Sequence, residues 1–379
     1  MKQWISLLLT ALLLCTPAAA LEQPSEEELS IGAPSAILIE RETGTVLYEK
    51  NADERLSPAS VTKIMTLLLI FEQLDSGQLS TDAVVTASAN ACAMGGSQIW
   101  LREGEQMTVD EMIKCIAVSS ANDCAVAMAE HICGSEAAFT KRMNERAQAL
   151  GMENTHFLNS TGLTDDPAHY TTARDIAVMS RALLAYPRIR DYTTIWMDTV
   201  RDGQFGLSNT NKLVRFYDGT TGLKTGYTSA AGHCLSASAE RNGMELIAVV
   251  LHCASSTDRF ESAKALLNYG FSNYALVTPE LGELPAVPVT LGTAAEITPV
   301  LADETPILID KALAAGVETR VCVDESVTAP VEAGQTLGAL TITSGGQTIA
   351  ERDLIAPEPV GALRWGDVYL QMLRALCMG

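Results

Sequence analysis

From Ile64 to Phe71 the chain is apolar apart from Thr66, and this run lies within a longer helical stretch, SPASVTKIMTLLLIFEQL, from Ser57 to Leu74. A helix that is apolar on every side offers no face to water, so other elements must wrap it. That requirement favours a layered fold with this helix inside. Ser57 reads as its N-cap, and Pro58 suits the first helical position, where a missing N–H costs nothing. Residues i and i+3 share a helix face, so the Lys63 amine can point at the Ser60 hydroxyl. Unpaired N–H groups at the helix start, with the positive end of its dipole, favour a developing alkoxide on Ser60.

Ser-x-x-Lys alone occurs by chance in many helices. Two later segments change its weight. Ser120-Ala121-Asn122 interrupts an apolar helical stretch, and Lys224-Thr225-Gly226 follows a glycine-containing turn ahead of a strand-like run. The three together, in that order, are specific.

Along the chain, Ala36–Glu40 and Val46–Glu49 are strand-like around the turn Glu42-Thr43-Gly44. Thr108 to Glu111 is a capping box that opens a helix running to Val118. The break at Ser119-Ser120 and a new helix from Asn122 to about Cys133 place Ser120 and Asn122 on a tight connection facing a cleft. Helices follow at Ser135–Leu150 and Thr172–Leu184, with an irregular loop at Asn154–Asp166. Strands Gly232–Glu240 and Glu245–Cys253 flank the turn Arg241-Asn242-Gly243. A helix then covers Phe260–Tyr269. Strands at both ends of this region, with helices between, predict an α+β domain, one antiparallel sheet covered by helices and a helical subdomain.

Met1 to Ala20 reads as a signal peptide: Lys2, an apolar core from Trp4 to Cys15, and the small residues Ala18-Ala19-Ala20. Residues 21–274 are then the helix-and-sheet domain, 275–359 a small all-β domain, and 360–379 an amphipathic helix. Arg364, Asp367, Gln371 and Arg374 mark one face of that helix, and Leu, Trp, Val and Met the rest. It is too short to span a bilayer and suited to its interface, with docking on the β domain as the alternative.

A formal charge of −20 argues against nucleic-acid partners and against polybasic docking on anionic lipid. No metal-ligand spacing occurs, and no cofactor is expected. Eight cysteines remain after the signal segment, an even number that permits disulfides. Cys115, Cys124 and Cys133 lie among Ala, Ile and Met in helices, which favours buried thiols.

With the three motifs in hand, the chain resembles low-molecular-mass penicillin-binding proteins of the D-alanyl-D-alanine carboxypeptidase type, over roughly Ser35 to Tyr274 and more loosely beyond. The resemblance implies a β-lactamase/transpeptidase-like fold and a serine D,D-peptidase, exported to the outer face of the cytoplasmic membrane and the cell wall. Peptidoglycan stem peptides ending in D-Ala-D-Ala are the implied substrates, and β-lactams the covalent inhibitors. It also implies roles. Ser60 is the nucleophile and Lys63 its base, kept neutral by burial and by the Lys224 charge. Ser120 relays the proton, and Asn122 binds substrate peptide groups and steadies Lys63. Lys224 and Thr225 meet the terminal carboxylate, and Gly226 lets an extended substrate lie close along a strand edge. The backbone N–H groups of Ser60 and Tyr227 form the oxyanion hole. Arg259 orients the carboxylate, or else makes a surface salt bridge.

Rival readings share these motifs. A class A β-lactamase needs a glutamate three residues before a Leu-Asn pair, where this chain has Thr155 before Leu158-Asn159. A D,D-endopeptidase and a non-catalytic penicillin-sensing wall protein are the others.

Overall fold

The computed structural model describes residues 29–279, 281–366 and 369. The segment read as a signal peptide, and most of the C-terminal stretch read as an amphipathic helix, lie outside the described residues. The described chain divides into two compact units near Val277.

The first unit opens with strands β1 (Ser35–Glu40) and β2 (Val46–Lys50). Helices α1 (Lys63–Asp75), α2 (Val109–Ser119), α3 (Asn122–Cys133), α4 (Glu136–Ala149) and α5 (Ala173–Leu184) follow. Strands β3 (Thr220–Thr228), β4 (Gly232–Arg241) and β5 (Met244–Cys253) precede α6 (Ser256–Asn273). The strands make one five-stranded sheet in the order β2-β1-β5-β4-β3, antiparallel throughout. The two ends of the unit thus meet in the sheet, and β3 is left at an edge. Asn242 and Gly243, with φ of 52° and 77°, give β4 and β5 a two-residue turn that sets their register.

Side chains alternate across this sheet. Ile37, Ile39, Val249 and Leu251 face a large core shared with α1 to α5. On the other face α6 comes so close that a Cβ on Gly270 would stand 2.4 Å from Leu246 Cδ1. α6 is longer than the sequence predicts because Ser255 caps it a turn earlier, accepting from Asp258 N at 3.1 Å.

α1 is buried along its whole length from Lys63 to Phe71, as its composition requires. Its entry differs from expectation. The chain arrives through a 3₁₀ turn, Ala59–Thr62, with Pro58 at the cap position and no side-chain cap. Ser57 Oγ is buried and has no hydrogen-bond partner, so Ser57 is not the N-cap. Ala59, with φ of 48°, turns the chain away from the path a Ser57 cap needs. Ser60 therefore lies in the 3₁₀ turn, one turn ahead of the α-helix. The expected capping box at Thr108 and Glu111 is present and complete.

Among the described residues the second unit is built on a three-stranded and a four-stranded sheet. Val287, Val289, Ile297, Val331, Leu337, Ala356 and Val360 form its core. Among the described residues no helix is long and apolar enough to cross a membrane, no group of side chains could hold a metal ion, and the cysteines are free. Cys115 and Cys124 are fully buried, Cys133 is half-buried and Cys322 is exposed.

Candidate active site

Ser60 and Lys63 meet because a 3₁₀ turn has three residues per turn and so eclipses positions i and i+3. Lys63 Nζ lies 2.9 Å from Ser60 Oγ and donates to the Thr161 carbonyl at 2.9 Å. The Lys63 side chain has no solvent exposure. Burial, and then the Lys224 ammonium, hold its amine well below the ordinary lysine range; the buried Asp123 carboxylate opposes them. The two causes expected from sequence both act in the expected direction.

Ser120 ends α2 in the left-handed conformation, φ 61°, and α3 starts two residues later at Asn122. This sharp corner points Ser120 Oγ inward, where it is buried without a hydrogen-bond partner. An orphaned buried hydroxyl is costly unless something binds it, which suits a group that waits for substrate. Asn122 does not hold Lys63. Its Nδ2 donates to the Gly95 carbonyl at 2.8 Å, while its Oδ1 is buried and unpaired. The loop from Gly95 to Leu101 sits too near for Asn122 to turn elsewhere, since Ser97 O also accepts from Asn122 N at 2.7 Å. Asp123 anchors the same loop, accepting from the N–H groups of Ile99 and Leu101, both at 3.1 Å from Oδ2.

Lys224, Thr225 and Gly226 lie within β3 itself. Lys224 is buried, and burial together with the Arg259 charge brings its pKa to about 7. Its Nζ donates to the Thr225 carbonyl at 2.9 Å, and Thr225 Oγ1 donates to Thr210 Oγ1 at 2.7 Å. Gly226 is required by something other than substrate. A Cβ there would stand 2.5 Å from Pro58 O and 3.1 Å from Val61 N, so β3 presses directly on the Ser60 turn. The Tyr227 backbone follows one residue on, while its exposed ring stacks on His233 at 4.4 Å between centroids. Arg259 is no surface ion pair. It is 8% exposed, and Nη1 donates to Gly226 O at 3.1 Å and Cys234 O at 3.4 Å.

Several contributors were not singled out from sequence. The loop at Asn159–Leu163 supplies the Thr161 carbonyl, and Gly162 lets it dock, because a Cβ there would overlap Ala59 O. Its only sequence signal is the turn-forming cluster Asn159-Ser160-Thr161-Gly162. His169 braces this loop against the nucleophile turn. Leu158 N donates to its Nδ1 at 3.0 Å, so the proton sits on Nε2, 2.8 Å from Thr62 Oγ1. Burial pushes its pKa down to about 4, which keeps it neutral. Thr155, at the position where a β-lactamase needs glutamate, bonds Asp175 and Thr171 instead, and Glu153 is exposed.

A serine beside a desolvated amine, with a buried lysine on an adjoining strand edge and a buried arginine behind it, defines the class of penicillin-interactive serine peptidases. The family model described as D-alanyl-D-alanine carboxypeptidase matches residues 21–255, and the chain belongs to that family. A second, described as penicillin-binding protein 5, C-terminal domain, matches residues 283–362. The chain is 42% identical over 368 residues to D-alanyl-D-alanine carboxypeptidase DacF of Bacillus subtilis, covering 94% of each. It is 32% identical to DacC of Escherichia coli, over 92% of this chain and 89% of that one. The crystal structure of penicillin-binding protein 5 from Haemophilus influenzae superposes with a TM-score of 0.77 at 30% identity, covering 90% of this chain and 99% of the other. Penicillin-binding protein D2 from Listeria monocytogenes, solved in an ampicillin-bound form, superposes with a TM-score of 0.60 at 31% identity. That match covers 65% of this chain and all of the other.

Proposed function

We propose that this protein is a serine D-alanyl-D-alanine carboxypeptidase that works through an acyl-enzyme on Ser60. The observation that carries the reading is the 2.9 Å contact between Ser60 Oγ and an amine whose proton affinity burial and a neighbouring cation hold well below the ordinary lysine range. Lys63 takes the Ser60 proton as Oγ attacks the carbonyl between two D-alanines. Ser120 passes a proton to the leaving nitrogen, the terminal D-alanine departs, and water hydrolyses the ester. Lys224 and Thr225 receive the terminal carboxylate, and the Ser60 and Tyr227 N–H groups hold the oxyanion. Arg259 acts from behind β3, orienting the Gly226 carbonyl and lending positive charge to the carboxylate site.

The substrate is the stem peptide of peptidoglycan, and β-lactams acylate the same hydroxyl. Residues 1–20 direct export, 21–274 hold the peptidase, 275–359 the β domain, and 360–379 rest on the outer face of the cytoplasmic membrane. Mass spectrometry of the intact protein after penicillin should show one adduct, mapped to the Ser60 peptide and lost in Ser60→Ala. D-alanine release from diacyl-Lys-D-Ala-D-Ala measures turnover. An adduct elsewhere overturns the assignment. An adduct on Ser60 with slow D-alanine release but cleavage of cross-linked peptides favours the endopeptidase reading. A relative named D-alanyl-D-alanine endopeptidase, from Pseudomonas aeruginosa, is 31% identical over 75% of this chain.

A further inference from the structure

We infer that Asn159 is the positioning residue for the base, holding the Thr161 carbonyl on Lys63 and so aiming the amine lone pair at Ser60; the inference rests on the Ser60 acyl-transfer reading. Asn159 is not on an element of the three motifs. Its Oδ1 accepts three hydrogen bonds, from Thr161 N at 3.1 Å, Thr161 Oγ1 at 3.2 Å and Gly162 N at 2.7 Å. One side chain thereby fixes the peptide group that carries the Thr161 carbonyl, through Gly162 N, and the group before it, through Thr161 N. The next residue is tied down separately: Glu136 of α4 accepts from Ser160 N at 3.0 Å and from Ser160 Oγ at 2.7 Å. Ser160 O in turn accepts from Thr66 Oγ1 of α1 at 2.6 Å. The carbonyl that meets Lys63 is therefore held on both sides, and Asn159 is the side chain bonded to the N–H of the peptide group that carries it.

The chemistry explains why that matters. A neutral amine has two N–H donors and one lone pair. When Thr161 O takes one N–H, the amine cannot spin freely, and the setting that turns its lone pair rather than its second N–H to the Ser60 hydroxyl at 2.9 Å is the one that makes it a base. The carbonyl dipole also favours the protonated amine, so it limits how far the base strength falls. The charged groups facing Lys63 are Asp123 from α3, which strengthens the base, and Lys224 from β3, which weakens it. Next to the loop stand Glu136 and the neutral His169.

The test is the second-order rate of acylation by a fluorescent penicillin, from about pH 5 to about pH 9, where the low-pH limb reports the base in the free enzyme. Asn159→Ala should lower the plateau about tenfold, the cost typical of a lost positioning bond to a reacting group. It should also move the limb to lower pH, because the protonated amine loses an acceptor. Asn159→Asp keeps the oxygen and adds negative charge, so the plateau should recover and the limb should move to higher pH. Asn159→Ser, able to reach fewer N–H groups, should fall between wild type and alanine. If the alanine variant does not fold, the opposite displacement of the Asp and Ser limbs decides. Limbs that coincide in all variants, or an Asp variant as slow as Ala, overturn the inference while leaving Ser60 acylation standing. A wild-type protein that takes no adduct on Ser60 overturns the function instead.

Discussion

Gly226→Ala separates two explanations of the same glycine. If Gly226 exists to let substrate approach, the variant should fold normally and lose affinity alone. The packing gives another outcome. The new Cβ would stand 2.5 Å from Pro58 O and 3.1 Å from both Val61 Cγ2 and Val61 N. Pro58 O is backbone, so either β3 or the Ser60 turn must yield by about 0.5 Å in a close-packed interior. Overpacking of this kind costs about 1–3 kcal/mol, or roughly 2–10 °C in Tm for a domain of this size. The turn that yields carries the nucleophile, and a displacement approaching 1 Å costs about 100-fold in rate. We therefore expect Gly226→Ala to lower both Tm and the rate of acylation, the latter about tenfold to 100-fold. Differential scanning fluorimetry and stopped-flow labelling with fluorescent penicillin measure the two. Normal Tm with normal acylation, and a defect confined to KM for the peptide, would refute the packing argument.

The pH profile of kcat/KM should be bell-shaped. The rising limb belongs to Lys63, which must lose its proton to act. The falling limb belongs to Lys224, which in the free enzyme loses its charge near pH 7 and with it the attraction for a carboxylate. Arg259→Gln removes a neighbouring cation, so the falling limb should move to higher pH; a limb that stays in place or moves down rejects this. Ser57→Ala should be neutral or slightly stabilising by urea denaturation, because the hydroxyl is buried and unpaired; a loss near 1 kcal/mol would restore the N-cap reading. Thr108→Ala should cost about 1 kcal/mol through its capping box, with acylation unchanged.

The sequence carries the site wherever local rules act alone. Ser60 and Lys63 meet through i,i+3 spacing, which survives the change from α-helix to 3₁₀ turn. Thr108 and Glu111 cap as their spacing requires, and Asn242-Gly243 makes the hairpin its residue pair favours. Interpretation fails where tertiary contacts compete. Ser57 is a good cap former, yet β3 crowds the turn after it and the cap is never made. Asn122 has an amide that could reach a lysine, but the 95–101 loop claims it first. For Arg259 the sequence leaves a carboxylate-orienting role and a surface salt bridge side by side, and only the fold, by seating its guanidinium on two strand carbonyls, removes the second.

These contacts explain why the chemistry needs so much of the chain. The reacting pair sits in a single turn, but its position is set from outside. β3 packs on that turn through Gly226, and the 159–163 loop packs on it through Gly162. His169 ties the turn to the loop through Thr62. Each clamp uses either a glycine with no room for a Cβ or a buried side chain. The base is weakened by the same arrangement, since the elements that position Lys63 are also those that exclude water from it. Loosening any one clamp should therefore move both geometry and proton affinity. A variant that shifts rate and pH limb together identifies a clamp, whereas a residue that only touches substrate changes KM alone.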